Sequence, residues 1–165
     1  MDIFKNVFNR KTENFYKAKD GLKLFKRKFD GFVITFPDIT SDEIMFIKDK
    51  WEWLPKNIGR GVKIMALHFN NTVKLFLTSY EPNSYIMPHK HIIEFEIGKI
   101  IEGSLTNLLT GVTYKEGDTY KFYPDEIHYL ESSKKGCMVQ SVLSLNEEYD
   151  FKPYTKTKVN LLKSI

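Results

Sequence analysis

The run Pro88-His89-Lys90-His91-Ile92-Ile93-Glu94-Phe95-Glu96 concentrates two imidazoles and two carboxylates in one short stretch. Side chains alternate along an extended strand with a period of two, so His89 and His91 point to the same face. Two imidazoles on one face, a carboxylate shortly after and another histidine downstream, His128, form a donor set for a divalent metal. The carboxylate needs a local irregularity. Glu96 lies five residues beyond His91, and an unbroken strand would send it to the opposite face. A turn or bulge at Ile92-Ile93 must reset the register. Glu94 shares a face with Glu96, and the alternation alone leaves either one as the ligand. The rest of the chain reads as the scaffold that returns His128 to His89 and His91.

At 165 residues the chain is expected to be one domain, long enough to bury about two-thirds of its unfolded surface. A hydrophobic content of 42% with 28% charged residues argues against wholesale disorder. The 13 Phe and 9 Tyr suit β-structure and a ring-lined cavity. No apolar run approaches the roughly 18 residues that span a bilayer. The first residues lack the apolar core of a secretory signal, and Asp2, Glu13 and Asp20 argue against an organelle transit peptide. Cys137 is the single cysteine, so no internal disulfide forms and a cytoplasmic, reducing setting is expected. The formal net charge of +4 is uneven: residues 1–30 carry nine Lys/Arg against four Asp/Glu. With no helix-turn-helix, zinc finger or RNA-recognition motif beside it, that basic arm reads as a solvated face rather than a nucleic-acid surface.

Along the chain, Ile3 with Val7 and Phe4 with Phe8 at i,i+4 spacing predict a short N-terminal helix over 2–9. Leu22, Leu24 and the run Gly31–Phe36 predict strands, the latter ended by Pro37. Thr40 with Glu43 forms a capping box, Ile39 with Ile44 a staple, and Ile44, Ile47 and Trp51 one face, so a helix is predicted over 41–52. From Gly61 onward the pattern is strands and turns. Val62–Phe69 and Val73–Tyr80 form a hairpin about Asn70-Asn71, and Glu81–Ser84 turns into Tyr85–His91. Glu94–Ile101, Leu105–Leu109, Val112–Tyr114, Thr119–Tyr123, Ile127–Glu131 and Cys137–Leu145 follow, with a turn placed at Ser132–Gly136. Short strands at this density predict an all-β antiparallel barrel or sandwich. Residues 1–60 read as an N-terminal extension, 61–145 as the barrel and 146–165 as a polar surface tail.

At these residues the chain resembles the cupins, whose first motif runs G-x5-H-x-H-x3–4-E-x6-G. Asn83 stands in the first glycine position, followed by His89, His91, Glu96 and Gly103 at the family spacing. The second motif, G-x5-P-x-G-x2-H-x3-N, is met by Gly117 and His128. Tyr123 replaces the proline, Asp125 the second glycine and Ser132 the asparagine. Asn and Asp tolerate the left-handed backbone that those glycines supply. Trp53-Leu54-Pro55, Gly61-Val62-Lys63 and Gly136-Cys137 add a likeness to ChrR-type cupins. That group includes the sensory half of an anti-sigma factor and acetylacetone dioxygenase-like enzymes. The first 40 residues hold no cysteine or histidine, so the anti-sigma factor's zinc-binding domain has no counterpart here.

The resemblance implies a cupin-type antiparallel β-barrel (a double-stranded β-helix or jelly roll) and the metal ligands His89, His91, Glu96 and His128. Only the spacing to Gly103 prefers Glu96 over Glu94. Three imidazoles and a carboxylate leave two positions open on an octahedral ion, which suits Fe(II) first and also Mn(II), Ni(II), Co(II) or Zn(II). The implied function is a metal-dependent enzyme, most simply an Fe(II) dioxygenase acting on a small oxygenated substrate. A metal-containing sensor or binding module, or a metal-dependent lyase or isomerase, are the alternatives. A homodimer is implied as well. His68 has no partner at ligand spacing and reads as structural, Cys137 as a small buried hydrophobe, and Trp51 and Trp53 as packing anchors. Tyr85, Met87, Phe95, Tyr120, Phe122 and Tyr129 flank the ligands, and some of them must face the cavity.

Overall fold

β-branched and aromatic residues are frequent in the short paired segments of this protein, as in Gly31–Thr35 (GFVIT) and Thr119–Phe122 (TYKF), which suits strands. The computed structural model describes residues 31–35, 43–56, 58–91 and 93–151. Nine strands follow one another among them: β1 Gly31–Thr35, β2 Glu43–Ile47, β3 Trp51–Trp53, β4 Gly59–Phe69, β5 Val73–Ile86, β6 Phe95–Asn107, β7 Thr113–Lys115, β8 Thr119–Phe122 and β9 Leu130–Ser144. β1 and β2 pair as a two-stranded antiparallel ribbon. The others form one antiparallel sheet in the order β3-β4-β5-β9-β6-β7, with β8 also pairing with β6. Among the described residues no helix is long and apolar enough to cross a membrane.

The predicted helix over 41–52 is replaced by β2 and β3. Ile44, Met45, Phe46 and Ile47 are strand formers, and Gly31–Thr35 supplies a pairing partner in register from Gly31 opposite Ile47 to Thr35 opposite Glu43. Asp49, at φ 62°, then turns the chain into β3, where Trp51 and Trp53 pair with Met65 and Lys63 of β4. A strand partner outweighs a capping pattern whose Thr40 lies outside the described residues. The predicted N-terminal helix and the strands at Leu22 and Leu24 also lie outside them.

Two predicted turns are irregularities inside long strands. Glu81–Ser84 is a break in the pairing of β5 with β9, whose register jumps from Tyr80 opposite Cys137 to Tyr85 opposite Glu131. The Ser132 hydroxyl ties this break to β9, accepting from the Ser84 amide at 2.9 Å and donating to the Glu81 carbonyl at 2.6 Å. Ser132–Gly136 likewise stays within β9.

β9 is the central strand, flanked by β5 and β6, and every residue from Gly136 to Ser144 is buried. Its inward side chains Cys137, Val139 and Leu143 join Phe76 and Tyr80 of β5, Ile100 of β6, and Tyr120 and Phe122 of β8 in one apolar core. Ile64 and Ala66 of β4 and Phe46 of β2 belong to the same core. A smaller cluster of Met65, Leu77 and Met138 packs with Trp51 on the other face. Lys63 Nζ lies 4.9 Å from the Trp51 ring centroid and 5.5 Å from that of Trp53, a cation–π arrangement. Trp51 packs as expected, whereas Trp53 is exposed and is not a packing anchor.

Candidate metal centre

The four side chains singled out from the sequence, His89, His91, Glu96 and His128, are brought together by a few local devices. His89 and His128 face each other across an isolated antiparallel bridge. The His89 amide donates to the His128 carbonyl at 3.1 Å and the His128 amide to the His89 carbonyl at 2.9 Å. That reciprocal pair brings the two rings to 4.2 Å between centroids. His91 follows two residues after His89, and its carbonyl accepts from the Asp125 amide at 2.6 Å. Lys90 reinforces the contact through an ion pair with Asp125 at 2.6 Å. Ile93 and Glu94 lie outside the strand conformation, and Glu96 faces the histidines, as a reset of register requires.

The ligand atoms of His89, His91, Glu96 and His128 all lie within 4.8 Å of one another, and all four residues are buried. Glu96 Oε2 stands 2.6 Å from His128 Nε2 and 4.0 Å from His91 Nε2. His89 Nδ1 lies 2.8 Å from the Met87 carbonyl and His128 Nδ1 3.2 Å from the Glu126 carbonyl. A carbonyl only accepts, so each Nδ1 carries the proton and each Nε2 is the nitrogen turned to the centre. Such backbone contacts fix tautomer and ring orientation at metal-binding histidines. The donor set, the burial and the tautomers therefore fit a divalent metal.

The electrostatics agree. Burial, reinforced by His128 and His91, pushes the His89 imidazole well below its usual range, against the pull of Glu96, so it is neutral. Burial alone would raise the Glu96 carboxyl. The charge and hydrogen bond of His128, with His91 and His89, outweigh it and bring the group down to about 2. Burial lowers His128, but Glu96 outweighs that and raises it above the ordinary value. Glu96 is thus ionised, and its charge favours a proton on His128 that metal binding would compete with.

The rival carboxylate is placed elsewhere. Glu94 is buried but stands outside the cluster, close enough to Lys74 of β5 to act on its charge. His68 is exposed on β4, where its Nε2 accepts from Asn70 Nδ2 at 3.3 Å. Burial pushes the Cys137 thiol up to about 12, which leaves it an inert core residue. Of the flanking residues, Phe122 stacks on the His128 ring at 4.2 Å with the planes 4° apart. Tyr120 is buried against Gly98, where an added Cβ would fall 2.1 Å from the phenol ring. Tyr85 and Tyr129 pair with each other at 5.9 Å, and Phe95 with Tyr123 at 5.5 Å. Met87 contributes its carbonyl to His89 and its side chain to the core.

Sequence reasoning did not single out the hydroxyls beside Glu96. Thr78, Tyr80 and Ser141 line a small cavity with Phe76, Leu143 and Glu96. Thr78 and Ser141 hydroxyls lie 3.2 Å apart. Period-two alternation from Phe76 through Thr78 to Tyr80 was the available signal. The cavity measures about 10 Å³, roughly the room one water needs.

The positions that stand for motif glycines behave as glycines do. Asn83 has φ 54° and Asp125 φ 69°. No protein-family model and no curated protein sequence matches the chain. Solved structures do. An RmlC-like cupin from Shewanella frigidimarina is 19% identical with a TM-score of 0.51, covering 60% of this chain and 86% of its own. The fold is that of a cupin. A candidate acetylacetone dioxygenase from Methylibium petroleiphilum matches this cupin fold at 12% identity and a TM-score of 0.51, covering 58% of this chain and 70% of its own. The complex of Rhodobacter sphaeroides SigE with the anti-sigma ChrR matches at 14% identity and a TM-score of 0.50, covering 58% of this chain and 48% of the other. At these identities the shared property is the cupin barrel, and chemistry must be argued from the site.

Proposed function

We propose that this cupin is a small metal-dependent enzyme that holds one divalent transition metal through His89, His91, Glu96 and His128. Iron(II) is the metal and dioxygenase-type chemistry on a small oxygenated substrate the reaction. The observation that carries the proposal is the convergence of four buried donor atoms within 4.8 Å. In such a site the metal supplies Lewis acidity and, as iron, redox chemistry with oxygen. The chain's own part is narrower. His89 and His128 present Nε2 through their carbonyl-bound Nδ1, Glu96 supplies the anionic donor, and burial excludes bulk water. Three imidazoles and one carboxylate leave room on a six-coordinate ion for substrate.

The test is elemental analysis of protein purified anaerobically without chelator, followed by oxygen uptake with diketones and related small acids. Near-stoichiometric iron with substrate-dependent oxygen consumption is expected. Absence of bound metal after reconstitution would overturn the site assignment. The narrowness of the cavity beside Glu96 favours a second reading, a metal-containing binding or sensor module. Stoichiometric metal with no turnover across the screen would select it. A homodimer formed through an edge strand, β3 or β7, belongs to either reading and is checked by light scattering.

A further inference from the structure

Among the described residues, two charged side chains outside the metal cluster are almost wholly removed from solvent: Lys74 and Glu94 are each 1% exposed. Charges at that depth occur where they are paired, because an isolated buried ion carries a large desolvation penalty. Lys74 lies on the inward face of β5, in phase with Phe76, Thr78 and Tyr80. Its cross-strand partner is Leu143 of β9, and Leu143 in turn faces Glu96 of β6, so Lys74 and Glu96 share one row of the barrel wall. One step further, Val73, Ser144 and Phe95 form the next row. Glu94 immediately precedes Phe95 and so comes to the end of β9, beside the β4–β5 hairpin. There the Lys74 ammonium donates to the Asn71 carbonyl at 3.3 Å, and the chain after β9 is bound to the same hairpin through Leu145 and Thr72. Both residues thus lie at one end of the barrel. Burial lowers the Lys74 pKa, and the Glu94 charge opposes that fall.

We propose that Lys74 is a positioning residue for the metal centre: paired with Glu94, it fastens the segment after His91 to β5 and so holds His91 and Glu96 on one side. Ile93 and Glu94 lie outside the strands, and in an unbroken strand Glu96 would point away from His91. His91 is fixed at its own end by the Asp125 amide. Glu94 is the fastening at the other end. The two carboxylates of the sequence run therefore divide the work, Glu96 facing the metal and Glu94 facing Lys74.

The proposal rests on the cluster being a metal site, and the test separates the two. Cobalt(II) affinity is measured by competition with a chelating dye for the unaltered protein, Lys74→Met, Glu94→Gln, the double variant and His89→Ala. Each is also checked for its thermal midpoint and its cobalt absorption spectrum. Either single substitution is expected to weaken binding about ten- to hundredfold, the range for outer-shell partners of metal ligands, and to alter the cobalt spectrum. The double variant should lose no more than the worse single one, because the two residues act as a pair. If His89→Ala binds cobalt normally, the metal site itself is wrong. If His89→Ala fails to bind while Lys74→Met and Glu94→Gln bind within twofold with unchanged spectra, the positioning role alone is overturned, even where the thermal midpoint falls. Losses that multiply in the double variant would also overturn it. Glu94→Gln keeps the shape of the side chain and supplies the answer should Lys74→Met not fold.

Discussion

Glu96→Gln isolates the charge of the candidate ligand from its size. Four donor atoms within 4.8 Å of one another leave a centre roughly 3 Å from each, at which a dication and a carboxylate attract by about 11 kcal/mol in an effective dielectric of about 20. Most of that gross figure is cancelled by the desolvation of the two ions. A net loss of about 4 kcal/mol, or a thousandfold in Kd, is the expected outcome. The fold itself should survive. In metal-free protein the change costs the charge-assisted bond to His128 Nε2 at 2.6 Å, about 1.5–3 kcal/mol. The assay is anaerobic competition for cobalt(II) or iron(II) against a chelating dye, with the thermal midpoint in chelator as the control for folding. Glu94→Gln, studied alongside, should weaken binding less. Binding within tenfold of the unaltered protein for Glu96→Gln, or a larger loss for Glu94→Gln, would refute the assignment of Glu96 as the ligand.

Other outcomes follow from the same geometry. In chelator-treated protein the Glu96–His128 pair should stabilise most between about pH 4.5 and 6.5, as thermal melts across pH will reveal. Glu96, lowered from 4.5 to about 2, contributes fully above 4.5 and loses its contribution as pH falls towards 2; His128, raised above 6.5, contributes fully below 6.5 and loses it as pH rises through its folded value. Metal binding near pH 6 should release a proton, read by calorimetry in buffers of different ionisation enthalpy, since His128 must give up its own. Gly98→Ala should displace Tyr120, whose ring lies 2.1 Å from the new methyl, at a cost of about 1–3 kcal/mol in denaturant titration. Cys137 should resist thiol reagents in the native state and react only on unfolding, given its burial and a pKa of about 12.

The clustering of His89, His91, Glu96 and His128 was legible because imidazoles at i and i+2 share a strand face, and because Asn83 and Asp125 tolerate the backbone their positions require. The strand-rich middle of the chain was legible through alternation. The helix over 41–52 was misread for a physical reason: Ile44, Ile47 and Trp51 satisfy a helical stripe, and only the pairing of Glu43–Ile47 with Gly31–Thr35 decides otherwise. Pro82, Asn83 and Gly136 marked turns correctly as bends but not as bends within β5 and β9, because a bulge and a loop draw on the same residues. Ser132 departs from the asparagine of the motif, and its value as a tie between Ser84 and Glu81 depends on a partner about fifty residues away. Lys74 was passed over although its alternation with Phe76 and Thr78 placed it indoors.

The bridge between His89 and His128 joins positions that are 39 apart in the chain. Before that loop closes, the unfolded polypeptide offers a metal only His89 and His91 with a nearby carboxylate; afterwards it offers the complete cage. An ion held there would therefore act as a clasp across that loop. Binding the folded arrangement and not the open loop, it would raise stability in step with its concentration relative to Kd.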